Sequence, residues 1–455
     1  MRWLVRGLKV LLAVLALVLA VLVAWVASNW HDDDARPLPP ELALGAPQAG
    51  PPLFFVIQGL LAAPGVQPEQ AGRAAWAALH APATAASASA AAVNSATLPR
   101  IKGPPLVCEA PQDCVKQLTA DVAQVAQQLA PHKLLGERCT AAAADARYAD
   151  ERPPAISLSA PFHSLAGLTS CGAWFKGQAV LAAARGDREA ALQGLRAGMQ
   201  LAQGVMAGGS MLITTVVAGI VVRGQFEAVA AVAALRPTWA ADLTPLAAPL
   251  PASALQPQRW VLTEAAFVRG TFDQMLRDCA DPRDPGLNLG GDDWALRLAC
   301  RTGIGLLPNA TRQALDGQWL ATFNTASQGL GPMVDAAIER RRSHAPPAQP
   351  PWAWRNTLGQ ALIAAAEPSL DSYAARQADV DLHRQALALA LAATSQRVPL
   401  AGRDAWLAQQ TLDARTRGRF GWQDQGATLV ARPWVAELGA DASRSAPIRL
   451  AVPAP

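Results

Sequence analysis

Asp379 and His383 stand four residues apart in a stretch of helical spacing, where a carboxylate could orient an imidazole as in a general-base pair. On a helix surface that spacing usually makes only a weak salt bridge, and this is the expectation for the pair. Glu264 falls on the flank of an apolar face built by Val261, Ala265 and Val268, which predicts a partly buried carboxylate held in an ion pair. His163 precedes Ser164, yet no acid is near in sequence and no G-x-S-x-G elbow presents a nucleophile; Ser210, in Gly208-Gly209-Ser210-Met211, misses that pattern too. His31 with Asp32, Asp33 and Asp34 reads as a solvated acidic cluster rather than a cation site. No C-x-x-C or paired-His spacing points to a metal, and no cofactor motif is present. The residue types therefore lean away from an enzyme.

The element that must position everything else is a run of 18 uncharged apolar residues at 10–27. With its flanks it approaches the ~30 Å hydrocarbon core of a bilayer, and Lys9 can snorkel at its edge. Arg2, Arg6 and Lys9 precede it and Asp32, Asp33 and Asp34 follow, so the positive-inside rule leaves the N-terminus in the cytoplasm and exports the rest, as in a bacterial inner-membrane protein with a periplasmic body. A cleaved signal peptide is the rival reading; the run exceeds the usual 7–15 residue apolar region, and Trp25 spoils the small-residue cleavage pattern. Residues 197–222 also lack charge, but only their end, MLITTVVAGIVV, is strongly apolar, which predicts a buried helix rather than a second span.

Net charge is +4, and three of the cations precede the apolar run, so nothing points to nucleic acid. Arginine greatly outnumbers lysine and alanine is abundant, as a GC-rich bacterial genome would produce. All six cysteines lie beyond the anchor, where an oxidising compartment favours disulfides. Cys108 with Cys114 is the expected pair by proximity, and Cys279 with Cys300 the next. Cys139 and Cys171 are open between a bond and two buried thiols.

The fold class is all-α: a membrane helix, then an extended antiparallel helical body with a minor C-terminal β-hairpin. Residues 1–30 form the cytoplasmic tip and anchor, and 31–67 a Pro-rich stalk with a first packed segment. One helical region covers 68–235, interrupted by an Ala-rich linker at 81–97, and a second covers 258–455. Val115, Leu118, Val122, Val125 and Leu129 trace an apolar helical stripe, and Gly186-Asp187 marks the turn of a helical hairpin resembling a tetratricopeptide unit, without the 34-residue recurrence of an array. One long helix is expected over 310–342 and another over 369–394. Segments 419–422 and 428–432 flank Asp424-Gln425-Gly426 as a hairpin.

Several segments together resemble a group of uncharacterised, single-anchor envelope proteins of proteobacteria. They are Leu38-Pro39-Pro40-Glu41, QGLLAAPGVQPEQAGR at 58–73, the Cys108 to Cys114 pair with the helix after it, Gly186-Asp187, LLPNATRQ at 306–313 and NTLGQAL at 356–362 with the Tyr373 helix. The chain departs from the pattern after Thr311, where Arg312-Gln313 stand in place of an apolar residue and Asn. The resemblance implies an anchored, mostly helical body and no particular activity. The expected function is a binding or scaffolding module of the envelope with a protein or lipid partner. An envelope hydrolase acting on a cell-wall or lipid substrate is the alternative.

Overall fold

The computed structural model describes residues 2–45, 51–81, 97–102, 106, 114–145, 147–153, 156–157, 160–280, 302, 305–343, 355–366, 370–439 and 446–453. Regular structure there is mostly helical. Helix α1, Arg2–Ser28, carries a window, Leu11–Ser28, that is wholly unburied and long and apolar enough to cross a bilayer. Among the described residues the other helix that meets this test, Leu212–Leu235, is 67% buried inside the body.

A polar joint follows α1. The Asn29 side-chain oxygen accepts from the Asn356 N–H at 2.6 Å. The carboxylate of Asp32 accepts from the backbone N–H groups of Asn309 (2.7 Å) and Ala310 (3.1 Å), in the first turn of the helix Pro308–Ser327. A carboxylate there meets unpaired amides and the positive end of the helix dipole, an interaction worth about 0.5–2 kcal/mol. Asp33 pairs with Arg355 at 2.6 Å, and Gln313 donates to the Asp34 carbonyl. Residues 31–34 are mostly exposed, as a solvated cluster would be, yet they are tied to partners 276 to 324 positions downstream. Inside the joint Asn356 adopts a left-handed φ of 58°, accepts from Leu307 N–H at 2.8 Å and donates to Thr311 Oγ1 at 2.9 Å. Segments 306–313 and 356–362 thus meet at the foot of α1.

Helices α2 (Pro52–Gly59) and α3 (Pro68–Leu79) form a tight hairpin. A Cβ on Gly59 would lie 1.9 Å from the Pro68 carbonyl oxygen and one on Gly72 1.8 Å from that of Phe55, so neither position admits a side chain. Next come α4 (Cys114–Ala120), α5 (Val122–Leu129) and α6 (Lys133–Ala144). Arg138 of α6 holds the α2–α3 turn by donating to the carbonyls of Leu60, Ala62, Ala63 and Val66 at 2.6–3.0 Å. A disulfide joins Cys139 to Cys171 of α7 (Ala166–Arg185), with Cα atoms 5.4 Å apart. Cys114 is also disulfide-bonded. Its expected partner Cys108, and the Cys279–Cys300 pairing, lie outside the described residues, as do most of the Ala-rich linker and all of the segments 281–301 and 345–351.

Helix α7 ends at Gly186, φ 79°, and Asp187 caps α8 (Arg188–Gly208) by accepting from Ala190 N–H at 3.1 Å, as the Gly-Asp step predicts. The centre of the body is α9 (Leu212–Leu235), packed on α4, α7 and α8 and on the long C-terminal helix Leu370–Ser395. After the single turn α10 (Ala240–Leu243) come α11 (Gln258–Ala280), α12 (Pro308–Ser327), α13 (Leu330–Ser343), α14 (Thr357–Ala366) and the long helix itself, α15. The helix expected over 310–342 is two, parted at Gly329 with φ 110°. The two helical regions share one apolar core, and a smaller cluster of Phe272, Met275, Leu306 and Leu315 sits near the joint.

The last helix, α16 (Arg403–Ala408), precedes the sheet. The expected hairpin is present as β1 (Phe420–Gln423) and β2 (Thr428–Ala431), with Phe420 opposite Ala431. A third antiparallel strand, β3 (Ile448–Ala451), completes the sheet by setting Leu450 opposite Leu429. Four residues are too short a run to announce a strand, and β3 forms because β2 and α15 already offer an edge and an apolar wall. Arg403, 1% exposed, donates to the carbonyls of Val398, Gly426, Val452 and Pro453. Replacing it by Met would strand buried carbonyls at about 1–3 kcal/mol each before relaxation. Arg403→Met is expected to lower stability by about 3–5 kcal/mol, and Arg403→Lys, with one compact ammonium, to recover less than half of that in urea unfolding.

Candidate functional site

Asp379 and His383 share a helix but not a hydrogen bond. The Asp379 carboxylate accepts from the N–H groups of Trp434 (2.6 Å) and Val435 (3.3 Å), and so fastens the turn Trp434–Leu438 to α15. Burial pushes this carboxyl up to about 6, against those two hydrogen bonds and the charges of Arg223 and Arg419. His383 is 3% exposed and neither ring nitrogen has a partner. Burial, with the nearby charge of Arg223, pushes it down to about 4. The pair is neither a surface salt bridge nor an oriented base. The apolar surface of α15 wraps further around the helix than its sequence spacing suggests, because α9, α13 and the C-terminal sheet cover it from several sides.

Sequence reasoning missed the most heavily hydrogen-bonded carboxylate, Asp150. One of its oxygens accepts from the N–H groups of Ser210 (2.7 Å) and Met211 (2.8 Å), and the other from the hydroxyls of Tyr148 (2.6 Å) and Thr214 (2.9 Å). The only local signal is Gly208-Gly209-Ser210 ahead of an apolar run, a helix start whose cap comes from 60 residues upstream. His163 Nε2 lies 3.1 Å from Thr214 Oγ1 and 3.7 Å from Asp150. Burial pushes this imidazole down, the Asp150 charge opposing it, and raises the Tyr148 phenol well above its usual value. Acid, imidazole and hydroxyl have the composition of a nucleophile triad. However, the Thr214 hydroxyl donates to Asp150 and is fully buried, so the arrangement serves as the N-terminal cap of α9. Ser164 hydrogen-bonds elsewhere, its N–H donating to Gln58.

Glu264, on α11, has no ion pair among the described residues. Burial raises its carboxyl, and the Leu212 backbone amide at the α9 start opposes that rise. Its other surroundings form a cavity of about 190 Å³ walled by Phe162, Leu212, Ile213, Val216, Phe267 and Tyr373. The Phe162 and Phe267 rings are 6.0 Å apart, and Phe162 is 60% exposed at the rim. A mostly apolar hollow with one carboxylate suits an apolar group that presents a hydrogen-bonding atom. Its size falls below the ~300–1,000 Å³ that encloses a whole drug-sized ligand. Among the described residues no three His, Cys, Asp or Glu side chains converge as a metal site. No protein-family model, curated protein or solved structure matches the chain.

Two measurements check these assignments. Asp150→Asn turns an amide donor toward donors it cannot satisfy and is expected to lower stability by about 2–4 kcal/mol in urea unfolding. The unfolded His383 imidazole takes a proton near 6.5 and the folded one only near 4, so its contribution is complete above pH 6.5 and is lost as pH falls toward 4. Asp379, raised in the folded state, acts in the opposite direction below pH 6, in wild type and variant alike. His383→Leu is therefore expected to gain on wild type by up to about 3 kcal/mol between pH 7 and pH 4.

Proposed function

We propose that this chain is a membrane-anchored, exported binding module of the bacterial envelope, and that its pocket beside Glu264 takes one apolar side chain of an envelope protein partner. In this reading α1 spans the inner membrane with its N-terminus in the cytoplasm, and the body works in the periplasm. The pocket carries the proposal: an apolar hollow of about 190 Å³, rimmed by an exposed phenylalanine, is a shape that monomers seldom leave open without use. The charges flanking the apolar run support the orientation, and the Cys139–Cys171 disulfide fits an oxidising compartment. The joint at residues 29–34 would hold the pocket in one attitude to the bilayer. The resemblance to single-anchor envelope proteins agrees with this placement. The hydrolase alternative would have to recruit the Asp150–His163 network, whose acceptors already hold the start of α9.

The test uses the full chain in bacterial membranes. A phosphatase that works only outside the cytoplasm, fused after Pro455, is expected to be active. A benzophenone side chain at position 162 is expected to give a discrete cross-linked adduct that Ile213→Asp abolishes. A cytoplasmic C-terminus, or an adduct indifferent to Ile213→Asp, would overturn the reading.

A further inference from the structure

A second hollow, of about 550 Å³, opens on the middle of α9 and is unlike the first in charge. Four cations line it, Arg100, Lys102, Lys176 and Arg223, against one carboxylate, Glu227. Lys176 and Glu227 neutralise each other at 3.2 Å, with side chains 7% and 22% exposed. Three cations then remain. Arg100 is steadied by donating to Thr169 Oγ1 at 3.2 Å. Arg223 makes no hydrogen bond or ion pair with the described residues, and its Nε is buried without a partner. The charge of this guanidinium acts on the carboxylates of Glu227 and Asp379, no hydrogen bond fixes its fork, and that planar fork matches a carboxylate or phosphate. Apart from Thr169 and Gln225 the rest of the lining is apolar, Ile101 and Val221 among it, and Ile220 on the same wall is 58% exposed. Charge at one side and exposed hydrocarbon at the other define an amphipathic ligand.

We infer that the groove between Arg100, Lys102 and Arg223 binds an amphipathic anion, a phosphate or carboxylate head on an alkyl chain, with the head on Arg223 and the chain along Ile220. This site is separate from the pocket beside Glu264, and neither proposal needs the other. The head could belong to a bilayer lipid or to a free amphiphile, and the test separates the two.

Full-length protein in phosphatidylcholine nanodiscs would be titrated calorimetrically with octyl phosphate, against empty discs as the blank. Saturable binding is expected, weakened at least tenfold by Arg223→Gln and about threefold or more by Lys102→Gln, whose exposed side chain can be replaced without unfolding the body. Inorganic phosphate is expected to bind at least tenfold more weakly than octyl phosphate, and octyltrimethylammonium not measurably. Repeating the titration in discs that contain phosphatidylglycerol assigns the source: competition supports a bilayer lipid, and unchanged affinity supports a free amphiphile. Binding that is the same in Lys102→Gln as in wild type, equal affinity for inorganic phosphate, or equal affinity for the cationic amphiphile would each overturn the inference.

Discussion

The carboxylate of Asp150 at the head of α9 is the contact on which the described body depends. The amides that open a helix have no partner within it, and where the helix is mostly buried they need acceptors from elsewhere. Asp150 takes the amides of Ser210 and Met211, just ahead of and at the cap of α9, so this terminus is fixed by an acid from a distant segment. Both hollows are built along the helix fixed in this way. Its first turn walls the apolar pocket through Leu212, Ile213 and Val216, and its middle lines the cationic groove through Val221, Arg223 and Glu227. Some polar residues on α9 are matched within the core, as Glu227 faces Lys176 and the Gln225 amide donates to the Gly172 carbonyl.

Arginine performs a second structural task that composition alone did not suggest. Arg138 closes the α2–α3 turn, Arg236 donates to the carbonyls of Ala183 and Ala184 at the end of α7, and Arg403 collects four carbonyls beneath the sheet. Irregular backbone packed inside a body needs donors that reach several carbonyls from one point, and the guanidinium fork supplies them where an ammonium would not. A genome rich in arginine codons provides the material; the turns of this fold put it to use.

The joint between α1 and the body has a mechanical consequence. Hydrogen bonds that Asn29, Asp32 and Asp33 accept from residues around 309 and 355 replace what would otherwise be a swivel. Their worth depends on the body being already folded, because the two sides lie about 280 to 325 residues apart and bringing them together without the core would cost loop entropy for little return.

Local features were legible in the sequence. The apolar run, the Gly186-Asp187 break, the periodic stripes of the helices and the hairpin around Gly426 follow from hydrophobic spacing and from the few residues that turn a backbone, which act within a handful of positions. The candidate site was legible only as residue names. Glu264 was expected to be partly buried in an ion pair; it is partly buried, but it lines an apolar hollow with no ion pair among the described residues. Asp379 and His383 have the spacing of a pair and point to different neighbours. Cys139 could be matched to Cys171, Asp32 to the first turn of α12, and Ile448–Ala451 to the sheet only once the body had assembled. Those outcomes belong to the tertiary structure because a buried polar atom takes whichever partner packing brings within about 3 Å, and packing is decided between segments that one sequence does not place side by side.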